Sequence, residues 1–261
     1  MKVFGIIPAR YASTRFPGKP LAKLGGLSMV EWVYCRASEA FDTLAVATDD
    51  ERIADEVRRF GGLAVMTSPD HRSGTDRCAE ALILMEKETG MKPDVVVNVQ
   101  GDEPFIDPAL LLRLVKCFEY GSTQIATVVS PIENIADLLN PNNVKAVITE
   151  AGRAVYFSRS PVPYIRDFEQ NKWLNQHTFY WHLGLYAFLP DVLYELTELP
   201  PSPLEIAESL EQNRWLENDY YIRVIQTQDK SIAIDTPEDL AKAERFLQNL
   251  NLIKKNISII P

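Results

Sequence analysis

Cysteine and histidine are both scarce in this sequence of 261 residues. The three cysteines, Cys35, Cys78 and Cys117, are widely spaced and odd in number, so they form neither a disulfide framework nor a CxxC metal site. We therefore expect reduced thiols and a cytoplasmic protein. The three histidines show no HExxH spacing, so no histidine-based metal motif is present. Because no apolar run is long enough to span a bilayer, we expect no membrane insertion.

Acidic residues are absent before Glu31, although the chain has a formal net charge of −9. The acidic balance argues against nucleic acid or an anionic membrane as the main partner. Residues 6–24, in contrast, contain Arg10, Arg15, Lys19 and Lys23. A cationic opening on an acidic chain predicts a local anion site, and its small and turn-forming residues let backbone N–H groups approach phosphate. The alternative is a solvated basic loop.

The basic stretch lacks the spacing of a Walker A loop. Its only Gly-Lys pair, Gly18-Lys19, is followed by Pro20, and no glycine lies five residues before Gly18. A phosphate or nucleotide site here must therefore be of another kind.

Apolar strands alternate with amphipathic helices through the first half of the chain. The patterns predict strands at 3–7, 43–48, 63–66 and 95–99, and helices at 28–40, 50–60, 75–89 and 107–120. Since the strands are apolar without polar alternation, we predict an α/β fold: a mostly parallel mixed sheet with helices on both faces. Ligands bind at the carboxyl ends of such strands, so the basic loop and residues 100–103 should meet.

The second half continues with strands at 124–130, 144–149, 153–158, 182–189, 220–227 and 232–234. Helices are predicted at 190–198, at 204–217 and from 236 to about 250. Residues 161–178, which contain Pro161, Pro163 and mixed charge, are expected to leave the sheet as a lid or a dimer-forming arm. The pattern favours one domain over residues 1–261, with 251–261 as a loosely held tail.

Two aspartates follow short apolar segments and are candidate metal ligands. Asp102 lies between Gly101 and Glu103, where a carboxylate can hold Mg²⁺ on triphosphate oxygens. The alternative for Asp102 is a helix or turn cap. For Asp235 the capping alternative is stronger, because Asp-Thr-Pro-Glu is a good helix start.

Residues 73–77, Ser-Gly-Thr-Asp-Arg, open a helix whose free N–H groups, with Arg77, could hold a nucleotide. The alternative is a surface capping turn. Gln100 can donate and accept hydrogen bonds, as recognition of a base or a sugar hydroxyl requires.

A further set of polar residues suits a polyhydroxylated acid. Arg159 and Arg166 can pair bidentately with a carboxylate, and His182 and Tyr186 can bond hydroxyls. His182 alone would more often be a structural histidine.

Several segments together resemble the sugar-activating cytidylyltransferases. The resemblance begins at residues 7–24 and extends in order to about residue 247. It is carried by IPARYASTRFPGKPLAKL, SGTDRCAEA (73–81), NVQGDEP (98–104), YFSRSPVPY (156–164), HLGLYAF (182–188), PLEIAESLEQ (203–212) and IDTPEDL (234–240).

The resemblance implies a Rossmann-like nucleotidyltransferase fold and a homodimer that uses Mg²⁺. It implies transfer of CMP from CTP to the anomeric hydroxyl of 3-deoxy-D-manno-octulosonate (Kdo), for lipopolysaccharide biosynthesis. Residues 1–130 would be the nucleotide-binding half and 131–250 the sugar-binding and dimerisation half. The alternatives are an 8-amino-Kdo or sialic acid cytidylyltransferase and, in a different class, a catalytically inactive nucleotide-sensing protein.

The resemblance also implies roles for individual residues. The expected catalytic residues are Arg10, Lys19 and Asp102, and the metal ligands are Asp102 and Asp235. The expected CTP-binding residues are Ala9, Arg10, Ser13, Lys19, Ser73, Arg77 and Gln100. The expected sugar-binding residues are Arg15, Gln100, Arg159, Arg166, His182, Tyr186, Glu211 and Gln212.

Overall fold

The computed structural model describes residues 1–12, 15–119, 121–228 and 233–257. The strands in these ranges are β1 (Val3–Ala9), β2 (Lys23–Leu24), β3 (Leu27–Ser28), β4 (Thr43–Thr48), β5 (Leu63–Met66), β6 (Val95–Asn98), β7 (Ile125–Pro131), β8 (Lys145–Ile148), β9 (Ala154–Ser158), β10 (Tyr180–Phe188) and β11 (Ile222–Gln226).

The helices are α1 (Met29–Ser38), α2 (Glu51–Arg59), α3 (Gly74–Thr89), α4 (Pro108–Lys116), α5 (Ile135–Leu139), α6 (Pro190–Glu198), α7 (Pro203–Glu208), α8 (Glu211–Glu217) and α9 (Pro237–Ile257). Short 3₁₀ helices cover Lys19–Leu21, Cys117–Glu119 and Gln170–Asn175. None of the described helices combines the length and the apolarity of a membrane span.

The main sheet has the strand order β11-β7-β10-β6-β1-β4-β5, with β8 and β9 attached beside β10. The strands β6, β1, β4 and β5 are parallel to one another, as predicted. β10 runs antiparallel to its neighbours β6, β7 and β8, while β11 is parallel to β7. The sheet is therefore mixed, with its parallel part formed by the first half of the chain.

The order of the parallel strands creates a crevice at one edge of the sheet. From β1 the chain moves outward to β4 and β5, and then returns to the other side of β1 with β6. Such a reversal of direction leaves a gap between the loops that follow the two central strands, which is where α/β sheets bind ligands. The loops after β1 and β6 therefore meet, as the sequence predicts.

Helices cover both faces of the sheet because the central strands are apolar on both sides. In β1, Phe4 and Ile6 belong to one core cluster and Ile7 and Ala9 to the other. The first cluster includes residues of α3, α6 and α8, and the second includes residues of α1, α2 and α4. Both clusters bury their side chains almost completely, which fixes the strand ends that carry the site.

Three predicted boundaries in the second half are wrong. The helix expected at 204–217 is two helices, α7 and α8, separated where Ser209 takes a left-handed φ of 53°. Ala233 and Ile234 belong to no strand, and the rest of the expected strand, residue 232, lies outside the described residues. The last helix continues past residue 250 to Ile257, so helix covers the described part of the expected tail.

Residues 161–178 leave the sheet, as predicted. They include the 3₁₀ helix at Gln170–Asn175, whose Trp173 is buried with Ile132, Leu138 and Phe179 in a cluster of their own. This packing holds the segment against the body of the protein.

Candidate functional site

A cavity of about 270 Å³ opens at the crevice between β1 and β6. Ala9 and Arg10 enter it from the end of β1, and Gln100 and Asp102 from the loop after β6. Close approach of the two loops depends on Gly101, because a Cβ at this position would lie 2.9 Å from the backbone oxygen of Pro8. The first cavity is therefore built on the two central strands.

Charged side chains from three distant segments converge in the first cavity. Lys19 Nζ donates to Asp102 Oδ2 at 2.8 Å and to Asp235 Oδ1 at 3.1 Å. Arg15 adds an ion pair from Nη2 to Asp235 Oδ2 at 3.1 Å. The cations thus neutralise two carboxylates that would otherwise repel each other.

The backbone around Asp235 fixes this convergence. The Ile234 N–H donates to the Asp102 carbonyl at 2.9 Å, which ties the segment before α9 to the loop after β6. The N-terminus of α9 is capped by Thr236, whose Oγ1 accepts from the Asp239 N–H at 3.2 Å while its own N–H donates to Asp239 Oδ2. The capping alternative for Asp235 is therefore wrong, because Thr236 is the cap.

The N-terminus of α3 forms another wall of the first cavity. Ser73 lies there, and its hydroxyl caps the helix by accepting from the Asp76 N–H at 3.1 Å. Arg77 is almost fully buried and holds Thr67 Oγ1 at 2.6 Å and Asp49 Oδ2 at 3.4 Å. Both predicted residues line the cavity, and both also have a structural partner.

A second cavity, also of about 270 Å³, adjoins the first and shares Gln100, Asp102 and Asp235 with it. Its other walls come from β10, from the start of α8 and from the loop between α5 and β8. The predicted residues His182, Tyr186, Glu211 and Gln212 all line it.

A bulge in β10 shapes this second cavity. Pairing of β10 with β7 shifts between His182 and Tyr186, where Gly184 has a φ of 72°. The Gly184 carbonyl accepts from Gln100 Nε2 at 2.7 Å. The bulge therefore orients Gln100 at the boundary between the two cavities.

His182 is a buried neutral histidine. Thr127 Oγ1 donates its single hydrogen to the Leu185 carbonyl at 2.8 Å, so it accepts from His182 Nε2, which lies 2.9 Å away. Burial lowers the pKa of His182 to about 3. The side chain thus faces the cavity as an uncharged hydrogen-bonding group at neutral pH.

Burial shifts the pKa values of Tyr186 and Glu211 in the same cavity. Burial, with the nearby Glu211 carboxylate, raises the pKa of Tyr186 well above its usual value. Burial also raises the pKa of Glu211, although Thr75 Oγ1 donates to Glu211 Oε1 at 2.7 Å. Gln212 beside it is buried. The second cavity therefore combines buried neutral groups with the carboxyl groups of Asp102, Glu103, Glu211 and Asp235.

Arg15, Arg159 and Asp235 line a third, more open cavity next to these two. The Arg159 guanidinium donates to three backbone carbonyls: Nε to Glu208 at 2.7 Å, Nη1 to Pro141 at 3.1 Å and Nη2 to Ser209 at 3.3 Å. The predicted sugar-binding arginine thus also supports the surrounding loops.

Two predicted residues are not brought to these cavities. The side chain of Arg166 is 90% exposed, is paired with Asp167 at 3.7 Å and lines none of the three cavities. Ser13 lies outside the described residues.

The carboxylates of Asp102 and Asp235 fit a divalent metal. Both carboxylates contact the same Lys19 Nζ, so they lie close enough together for one metal ion to bind an oxygen of each. Mg²⁺ prefers such a set, a few carboxylate oxygens completed by phosphate and water. Among the described residues, no group of three or more His, Cys, Asp or Glu side chains could enclose a metal by itself.

Several residues that line the cavities were not predicted from the sequence. His71 and Arg72 line the first cavity, and Asn142 lines the second and third. The signal for Arg72 was available, because it directly precedes Ser73 at the start of α3. No signal in the sequence identifies Asn142, because it lies in an ordinary polar turn.

A cationic cavity at the crevice of an α/β sheet, joined to a second polar cavity, suits a nucleotidyltransferase. The family model described as "Cytidylyltransferase" matches residues 4–232. The chain belongs to the cytidylyltransferase family.

Relatives similar over the full length include two named 3-deoxy-manno-octulosonate cytidylyltransferase. The protein from Parabacteroides distasonis is 54% identical over 253 residues, which cover 95% of this chain and 99% of the relative. The protein from Bacteroides thetaiotaomicron is 54% identical over 252 residues, again 95% of this chain and 99% of the relative.

Solved structures show the same fold. A CMP:2-keto-3-deoxy-manno-octonic acid synthetase complexed with CTP has a TM-score of 0.86 and 38% identity, and covers 95% of this chain and 99% of its own. A cytidylyltransferase from Leptospira borgpetersenii has a TM-score of 0.57 at 19% identity, covers 100% of this chain and 97% of its own, and shows the fold alone.

Proposed function

We propose that this protein transfers CMP from CTP to the anomeric hydroxyl of Kdo and releases pyrophosphate. The observation that carries the proposal is the shared wall between the cationic first cavity and the polar second cavity, formed by Gln100, Asp102 and Asp235. An acceptor in one cavity and a nucleotide in the other would meet at this wall, and holding two reactants in contact supplies much of the rate.

The first cavity suits the triphosphate of CTP. Arg10 and Lys19 line it and would neutralise charge on the transferring and leaving phosphates. Lys19 lies at the start of a 3₁₀ helix after Gly18, whose φ of 72° sets the turn. The N-terminus of α3 would add backbone N–H groups, and Arg77, whose guanidinium donates to Thr67, would contact the nucleotide.

Asp102 and Asp235 would hold Mg²⁺ with the phosphate oxygens of CTP. When bound, Mg²⁺ neutralises negative charge that develops on the phosphates during an in-line displacement. Lys19 touches both aspartates and would stay beside the metal as a further positive charge. The protein's own contribution is to keep two carboxylates close together by the tie between Ile234 and Asp102.

The second cavity suits the many hydroxyl groups of a sugar acid. His182, Tyr186 and Gln212 are uncharged at neutral pH and offer donors and acceptors, and Glu211 adds acceptor oxygens. Arg15 and Arg159, at the third cavity, would attract the acceptor carboxylate. Neutral buried groups favour a ligand that satisfies all of them, because each unmet hydrogen bond would cost affinity.

The remaining expectations belong to the same proposal. Residues 1–130 and 131–250 would form the nucleotide and sugar halves of one domain. We propose a cytoplasmic homodimer, with residues 161–178 as the contacting arm, that supplies lipopolysaccharide synthesis. Sedimentation equilibrium measures the oligomeric state, and a monomer at micromolar concentration would contradict the dimer.

Pyrophosphate release tests the reaction. Each of the four common nucleoside triphosphates is combined with Kdo, 8-amino-Kdo or a sialic acid, with and without Mg²⁺. The proposal expects release with CTP and Kdo in the presence of Mg²⁺. Preference for 8-amino-Kdo or a sialic acid would change the acceptor but keep the chemistry. Tight CTP binding without turnover on any acceptor would instead support a nucleotide-sensing protein.

A further inference from the structure

A fully buried lysine directly follows Val144, a lining residue of the second cavity, and the proposed reaction does not use it. Lys145, on β8, is 0% exposed, and none of the described carboxylates forms an ion pair with it. Its Nζ donates to the backbone oxygens of Asn140 at 2.9 Å and Asn143 at 2.7 Å. Burial lowers the pKa of Lys145 to about 8. An apolar side chain would fill the space without this desolvation, so what the lysine adds is its hydrogen bonds.

Those hydrogen bonds fix the loop between α5 and β8. Besides the two carbonyls that Lys145 holds, Pro141 O accepts from Arg159 Nη1 at 3.1 Å and Val144 O accepts from the His182 N–H at 2.8 Å. The carbonyls on either side of Asn142 are thus bound by groups of the protein. A loop held at so many backbone positions has one conformation rather than several.

The residue that this loop presents to the site is Asn142. It lines the second cavity and also the third, which Arg159 and Asp235 line as well. Its backbone N–H donates to Asn140 Oδ1 at 3.0 Å. Asn142 is exposed and its side-chain amide bonds to none of the described residues, so its donor and acceptor are open to solvent or to a ligand.

We infer that Asn142 contacts the acceptor sugar acid and that Lys145 is the positioning residue that places it there. Lys145 acts from inside the fold, together with Arg159, by holding the backbone on either side of Asn142. The inference rests on the proposed function, since it assigns the acceptor to the second and third cavities. Lys145 would thereby influence specificity without contacting either substrate.

The test compares Lys145→Met, Asn142→Ala and the double variant. Methionine keeps the length of the lysine side chain but removes the donors. Either single change should raise the KM for Kdo about tenfold and leave the KM for CTP within about twofold, because only acceptor binding is lost. The double variant should be no worse than Asn142→Ala alone, because Lys145 acts through Asn142. The inference would be overturned if the KM increase of the double variant were the product of the two single increases, or if the KM values for Kdo and CTP rose equally.

A control variant must show that loss of stability alone does not raise the KM for Kdo. Val57→Ala, in the buried face of α2 away from the cavities, serves as a control of lowered stability. It should reduce the melting temperature and leave both KM values unchanged. If Val57→Ala raised the KM for Kdo as much as Lys145→Met does, loss of stability would explain the effect and the inference would fail.

Amide hydrogen exchange tests the positioning without any enzymatic activity. In the full-length protein, Lys145→Met should speed exchange at Asn142 and Asn143 about tenfold or more and leave the amides of β4 unchanged. Unchanged exchange in the loop would overturn the positioning role, whatever the activity. A wild-type protein that releases no pyrophosphate would instead contradict the proposed function, so the two failures are distinguishable.

Discussion

The first and second cavities adjoin each other but hold their polar groups in opposite ways. In the first, the cations come from a loop and remain partly open to solvent, with the Lys19 side chain 15% exposed and that of Arg15 55% exposed. In the second, the hydrogen-bonding groups come from a central strand, and His182 and Tyr186 are 7% and 3% exposed. Among the described lining residues, those of the first cavity include cations, whereas those of the second combine carboxyl groups with buried neutral groups.

This difference suits the ligands proposed for the two cavities. A triphosphate is recognised mainly by its charge, so a cationic loop at a strand end is sufficient and can adjust to the ligand. A sugar acid is recognised by the positions of its hydroxyl groups, for which rigid hydrogen-bonding groups are suited. Changes in the first cavity should therefore affect rate, and changes in the second should affect selectivity and stability.

The largest effect is expected for Lys19→Ala. Loss of this cation would remove transition-state stabilisation of about 3 kcal/mol, roughly a hundredfold in rate. Lys23→Ala is the matched control, because Lys23 lies in the same cationic stretch but pairs with Glu56 at 2.8 Å. Steady-state pyrophosphate release measures both. Near-normal turnover of a folded Lys19→Ala protein would remove the charge argument for the first cavity.

The next effect concerns stability against pH and tests the neutrality of His182 in the second cavity. His182 has a pKa of about 3 in the folded protein, and an unfolded histidine titrates near 6.5. The unfolded state therefore binds a proton first, and the stability that is present above pH 6.5 is lost as the pH falls toward 3. At pH 5 the loss is about 2 kcal/mol.

Denaturant unfolding of the wild type and His182→Gln between pH 5 and 7 measures this loss. The variant should show the weaker pH dependence. His177→Gln, a change at an exposed histidine, should keep the wild-type slope. Equal slopes for wild type and His182→Gln would mean that His182 is not held neutral by burial.

A smaller effect is expected for Asp235→Asn. An amide keeps the shape and leaves the Thr236 cap intact, but it is a weaker metal ligand, so the Mg²⁺ needed for half-maximal rate should rise about tenfold. Asp239→Asn separates the two roles, since Asp239 accepts from Thr236 at the cap. That control should lower the melting temperature and leave the Mg²⁺ requirement unchanged. Full activity of Asp235→Asn at low Mg²⁺ would contradict a metal role for Asp235.

The sequence was sufficient for the part of the fold that carries the first cavity. The apolar runs predict β4 and β5 with their observed bounds. The rule that ligands bind at the carboxyl ends of parallel strands predicts that the loop of Lys19 meets the loop of Asp102, as the structure shows. These features depend on local patterns and on parallel strands, which align their carboxyl ends. The order of residues along the chain thus determined which loops meet.

The second cavity depends on contacts that no local pattern encodes. An apolar strand such as β10 carries no sign of its direction, so its antiparallel insertion between β6 and β7 could not be read from the sequence. The break at Ser209 likewise involves a distant residue, because Arg159 binds the carbonyls of Glu208 and Ser209. Asn142 and Lys145 gain their positions from the same long-range packing.

The smallest effect is expected for Arg166→Ala, which tests whether the acceptor site extends beyond the second and third cavities. The family resemblance implies a sugar contact for Arg166, but its side chain is 90% exposed, pairs with Asp167 and lines none of the three cavities. An exposed ion pair contributes little binding free energy, so the KM for Kdo should change by less than about twofold.

Arg159→Ala is the matched comparison, because Arg159 lines the third cavity and supports the Pro141 carbonyl. It should raise the KM for Kdo severalfold and that for CTP less. Steady-state titration of each substrate against both variants measures the contrast. A rise for Arg166→Ala equal to that for Arg159→Ala would show that residues 161–178 move over the acceptor and that Arg166 closes the second cavity from outside.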